Sequence, residues 1–96
     1  MQGYLLLKLN RERSEPELWD LVKRYEAVEG VDFCAHVIGT FDFVLTVDTK
    51  RSLDSVAREI EETGTCSEVL SLKVNNSFVK HRELMDLKIL EDLNLA

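Results

Sequence analysis

The chain has 96 residues, enough for one small domain and not two. Eighteen acidic against twelve basic residues give a net charge of -6, which argues against non-specific binding to nucleic acid or an anionic membrane. No apolar run reaches the ~18 residues of a membrane span.

No basic region precedes the short apolar N-terminal run, so no signal peptide is read and a cytoplasmic protein is expected. Cys34 and Cys66 are too few and too far apart for a disulfide framework or a zinc site.

Residues 4–10, Tyr-Leu-Leu-Leu-Lys-Leu-Asn, alternate as a first strand, with Leu5, Leu7 and Leu9 on one face. Ser14-Glu15-Pro16-Glu17 then carries helix start signals. Ser14 suits the N-cap, Glu17 can complete a capping box, and Pro16 is tolerated where amides lack helical partners. Leu18, Leu21, Val22, Tyr25 and Val28 follow at helical spacing, and Gly30 suits the stop.

Residues 31–48 form the central hairpin. Phe33, Ala35 and Val37, then Phe43, Leu45 and Val47, are its apolar alternates about a turn at Gly39-Thr40-Phe41-Asp42. Gly39 suits a turn position with positive φ, and Asp42 can accept from nearby turn amides. Ser52 caps a second helix with the stripe Leu53, Val56, Ala57 and Ile60, and Gly64 suits its stop. Residues 66–74 make a fourth strand, with Leu70, Leu72 and Val74 on one face. Helix formers dominate residues 82–93, where a helix is expected; the alternations at 87–89 and 93–95 would also suit strands.

The order strand, helix, strand, strand, helix, strand is the split βαβ, ferredoxin-like arrangement of the α+β class. It predicts a four-stranded antiparallel sheet of order 4-1-3-2 with both helices on one face. Residues 1–76 form the domain and 77–96 a C-terminal extension. The helix-facing layer is expected to be Leu5, Leu7, Leu9, Phe33, Ala35, Val37, Phe43, Leu45, Val47, Leu70, Leu72 and Val74. The other face carries Tyr4, Leu6, Lys8, Cys34, His36, Ile38, Val44, Thr46, Val69, Ser71 and Lys73. That mixture is too apolar for a solvated face and too polar for a monomer core, and it suits a sheet-to-sheet homodimer. The expected interface is Tyr4, Leu6, Cys34, His36, Ile38, Val44 and Thr46. A solvated face with scattered apolar residues is the plainer alternative. Strands two and four fall at the two edges, ~14 Å apart, so Cys34 and Cys66 are beyond disulfide reach within one chain.

Little of the chemistry-bearing inventory points to catalysis. His36 sits mid-strand with no carboxylate two residues on and no nucleophile near in sequence, so an interface histidine is the simpler account. His81, among Lys80, Arg82 and Glu83, suits a solvated position, and neither histidine has metal-ligand spacing. Glu59, Glu61 and Glu62 suit a solvated helix face, and Trp19 lies beside the first helix's apolar stripe. No phosphate loop or nucleophile elbow is present, and no enzyme, cofactor or metal is expected. The best candidate site is the turn Gly39-Thr40-Phe41-Asp42. A backbone amide and the Thr40 hydroxyl can take a carboxylate there, and Asp42 an ammonium. A plain hairpin turn explains the same residues.

The segment His36-Val37-Ile38-Gly39-Thr40-Phe41-Asp42-Phe43-Val44-Leu45-Thr46-Val47 resembles the effector-binding domain of the Lrp/AsnC transcription regulators, whose pattern is a valine-rich strand, Gly-x-Tyr-Asp and an apolar strand. The likeness covers roughly residues 3–76, with Phe41 in place of the usual tyrosine. It implies a dimeric α/β barrel of two packed sheets, assembled further into higher oligomers. It also implies a small effector, usually an amino acid, bound between dimers near Gly39, Thr40, Phe41 and Asp42. Because the chain begins at the first strand, a stand-alone module without the helix-turn-helix is expected. Such a module binds no DNA itself and can act on a full-length regulator by mixed assembly. Two other functions share the architecture. One is a dimeric α+β barrel enzyme using a pocket floored by His36 and Tyr4; the other is an ACT-type amino-acid-binding module that pairs its sheets side by side.

Overall fold

A computed structural model describes residues 2–75. The extension beyond 76 and its expected helix lie outside the described residues. The order is β1 (Gln2–Leu9), α1 (Glu15–Glu26), β2 (Val31–His36), β3 (Phe43–Asp48), α2 (Leu53–Glu62) and β4 (Cys66–Lys73). The strands form one antiparallel sheet in the order β2-β3-β1-β4, the expected arrangement. The fold is ferredoxin-like.

Local chemistry sets the helix ends. Ser14 takes extended geometry ahead of α1 and accepts from the Glu17 amide, while the Glu17 carboxylate accepts from the Ser14 amide at 3.0 Å. This capping box satisfies two amides that the first turn leaves without helical partners. Ser52 caps α2 in the same way by accepting from the Ser55 amide. The stripe Leu53, Val56, Ala57 and Ile60 is wholly buried, as its spacing requires.

The core lies between the helices and one face of the sheet. Leu5 and Leu7 of β1, Phe43, Leu45 and Val47 of β3, Leu21 and Tyr25 of α1, and the α2 stripe make one cluster. Tyr25 meets Phe43 edge to face, with ring centroids 5.4 Å apart. Its hydroxyl bonds the Thr65 hydroxyl at 2.6 Å, which bonds the Thr63 hydroxyl at 2.7 Å, which donates to the Ile60 carbonyl at 2.6 Å. This buried chain ties α1 to the end of α2 and the start of β4. Gly3 is required by close approach: a Cβ there would lie 2.6 Å from a Leu53 methyl and 2.7 Å from the Leu72 carbonyl oxygen.

Both edge strands carry a bulge, and each reverses a face assignment. One step on β3, Val47 to Thr46, is matched by two on β2, Val31 to Phe33. The extra residue, Asp32, turns Cys34 and His36 to the helix side, opposite Leu45 and Phe43, and Phe33 and Ala35 to the open side, opposite Thr46 and Val44. On β4 the register steps from Cys66 to Glu68 while β1 moves from Leu9 to Lys8. Val69 and Ser71 therefore lie opposite Leu7 and Leu5 on the helix side. Leu70 and Leu72 lie opposite Leu6 and Tyr4 on the open side. The expected helix-facing placement of Phe33, Ala35, Leu70 and Leu72 is thus corrected, as is the open-face placement of Cys34, His36, Val69, Ser71 and Lys73, the last opposite Gly3.

The open face that results is more apolar than expected. Two unbroken rows cross all four strands: Phe33, Thr46, Tyr4 and Leu72, then Ala35, Val44, Leu6 and Leu70. Phe33 is 60% exposed, Leu72 45%, Tyr4 42% and Leu70 40%, so no described helix or loop covers them.

Candidate functional site

The β2 bulge also shapes the flank between α1 and the sheet edge. Glu15, Leu18, Trp19, Val22 and Glu26 fall at i, i+3, i+4, i+7 and i+11 on α1, one side of the helix. With Cys34 and His36 opposite, they enclose a groove of about 610 Å³. The His36 ring rests on Phe43, centroids 5.1 Å apart. Burial, reinforced by the nearby Glu26 charge, pushes the Cys34 thiol up to about 12, so it lines the groove as a neutral group and not as a thiolate nucleophile.

A second groove, of about 410 Å³, adjoins the first and shares Leu18 and His36 with it. Its polar lining includes Asp42, Arg11 and Arg13. Asp42 is pinned by three backbone bonds, each 2.8 Å. Its carboxylate Oδ2 accepts from the Leu9 amide, its own amide donates to the Leu7 carbonyl, and its carbonyl accepts from the Val37 amide. The expected acceptance from turn amides is therefore corrected. The loop after β2 folds back onto the end of β1, and the carboxylate closes that contact.

The two arginines differ. Arg11 is engaged, with an ion pair to Glu17 at 2.7 Å and a bond to the Glu12 carbonyl at 3.0 Å. Together with the Ser14 bonds, the Arg11 guanidinium holds the Glu17 carboxyl down to about 2. Arg13 donates from Nη2 to Asn10 Oδ1 at 2.9 Å, and its Nε has no partner among the described residues. A fixed carboxylate and a guanidinium thus line the same groove, the two charges that an amino-acid backbone would meet.

Of the four turn residues expected to bind a ligand, Asp42 faces this groove. Gly39, at φ 155°, and Thr40 are exposed on the loop, and Phe41 is half-buried. No hydrogen bond among the described residues joins Thr40 to Asp42. Of the expected interface residues, Tyr4, Leu6, Val44 and Thr46 lie on the open face. Cys34 and His36 line the groove on the opposite side, and Ile38 is fully exposed in the loop. Tyr4 and His36 therefore occupy opposite faces of the sheet and cannot floor one pocket. Sequence reasoning missed Arg13 and Leu18 as groove residues, and Phe33, Ala35, Leu70 and Leu72 as open-face residues.

Among the described residues, no group of three His, Cys, Asp or Glu side chains could hold a metal ion. No described helix is long and apolar enough to cross a membrane. No family model and no curated protein matches the chain.

Proposed function

We propose that this protein is a small-ligand sensing and assembly module of the kind the Lrp/AsnC resemblance implies. It pairs with a second copy through the open sheet face and takes an amino acid as effector. The observation that carries the pairing is the pair of rows crossing all four strands, apolar but for Thr46 and the Tyr4 hydroxyl. A contiguous apolar sheet face of this kind is a contact surface in a stable protein and a liability in a solitary one. The amino acid is supported by the groove that Asp42 and Arg13 both line, whose carboxylate suits an ammonium and whose guanidinium suits a carboxylate.

Sensing follows from linkage. An effector that completes its contacts only in one assembly favours that assembly by its differential affinity and no more. A full-length regulator with a matching domain is the macromolecular partner this reading implies, reached by mixed assembly of sheets. Direct DNA binding forms no part of it, in keeping with the net charge of -6.

The test is thermal unfolding and sizing with each of the twenty amino acids. An effector at ten times its Kd contributes about 1.4 kcal/mol, which for a domain of this size raises Tm by about 6–11 °C. Asp42→Asn keeps an oxygen acceptor for the Leu9 amide but removes the charge, so it should fold and lose the shift. Twenty amino acids without a shift or a change of assembly would overturn ligand sensing.

A further inference from the structure

The groove between α1 and β2 is not needed to hold the two charged groups of an amino acid, yet it opens beside them. Leu18 and His36 belong to both compartments, so the larger one begins at the side of the groove that Asp42 and Arg13 line. Beyond that threshold the walls are Leu18, Val22 and Trp19, with Cys34 on the β2 side. Trp19 is 61% exposed, a large aromatic surface left uncovered where the helix could have carried a polar residue at no cost to the core.

Charge narrows the ligand further. Glu15 and Glu26 stand at the two ends of the α1 stripe. Neither makes an ion pair among the described residues. They lie 11 residues apart, about 16 Å along a helix axis. An acidic side chain would meet two uncompensated carboxylates, and a small polar one would leave the apolar walls wet. Large apolar side chains gain the most from such a compartment.

We propose that the α1–β2 groove is a side-chain specificity compartment, selecting an effector amino acid with a large apolar or aromatic side chain that packs on Trp19. This rests on the reading of the Asp42–Arg13 groove as the site for the ligand's charged backbone. The bulge at Asp32 is what creates the compartment, because it turns Cys34 and His36 toward α1 instead of toward the open face.

Trp19 is the chain's single tryptophan, so its emission reports the compartment without labelling. The experiment titrates the full chain with phenylalanine, leucine, glutamate and serine, following tryptophan emission and heat release together. Phenylalanine and leucine should give a saturable emission change and bind at least about tenfold more tightly than serine or glutamate. Trp19→Ala, a change at an exposed position, should weaken phenylalanine by about tenfold while leaving serine within about twofold, read by calorimetry. Asp42→Asn should weaken every amino acid alike. Heat without an emission change, or serine or glutamate binding as tightly as phenylalanine, would overturn the specificity compartment while leaving amino-acid binding standing. Silence from every amino acid in both signals would overturn the compartment and the reading beneath it.

Discussion

Single residues settle the local geometry here, and those whose partners lie close in sequence declare it. Ser14 and Glu17 are three apart, and the capping box they form is the one their spacing predicts. The Glu17 carboxyl sits at about 2, below its ordinary 4.5, first because of the Arg11 guanidinium and then because of the Ser14 bonds. A depressed carboxyl adds stability above the unfolded value and loses it as pH falls from 4.5 towards 2. Glu17→Gln should therefore flatten the acid limb of the stability curve, most clearly at low salt because the pair is exposed. Denaturant titrations of both forms between neutral pH and pH 2 check this. Parallel curves would contradict the assignment. Asp42 marks the limit of the same reasoning. Its carboxylate bonds an amide 33 residues away, and no local spacing announces that partner.

Elements were legible in kind and order, and so were the faces of the two central strands; the faces of the two edge strands were not. The two helices, the four strands and their 4-1-3-2 order follow from period, caps and connection rules, because each rests on a repeated pattern. A face assignment rests on parity, and one inserted residue inverts it. Asp32 and Ser67 are those insertions, and both strands they interrupt are edges, where one missing ladder partner is tolerated. Alternation could not expose the error. Val69 beside Leu70 makes either face of β4 apolar enough to bury, and Phe33 beside Cys34 does the same for β2. The Tyr25 network is the other contact between elements that pattern alone hides. Tyr25 sits in the expected stripe, but its hydroxyl partner Thr65 belongs to the segment leading into β4. Tyr25→Phe should cost about 1 kcal/mol, since Thr65 keeps its Thr63 bond and is not left orphaned. Urea unfolding gives the number, and an unchanged midpoint would remove the network from the account of stability.

At the scale of the molecule, the sheet has one side packed by the helices and one that none of the described residues covers. The bulges place Phe33, Ala35, Leu70 and Leu72 outward, so the middle of the open face is largely apolar, with Lys8, Glu68 and Asp48 towards its ends. Two such faces packed together would bury aromatic and branched side chains at the centre, where interface energy concentrates. The ligand grooves lie on the other flank of the sheet, beside α1, so the contact face and the binding site do not compete for one surface. Effector binding and the sheet-to-sheet contact therefore need not block each other. Leu6 holds the centre of the inner row, between Val44 and Leu70, and is the residue on which the pairing should turn. The direct measurement is sedimentation equilibrium of the full chain and of Leu6→Asp at micromolar concentration. The account predicts twice the 11.0 kDa chain mass for the native protein, and the single-chain mass with unchanged circular dichroism for the variant. A native protein that sediments as one chain would contradict it.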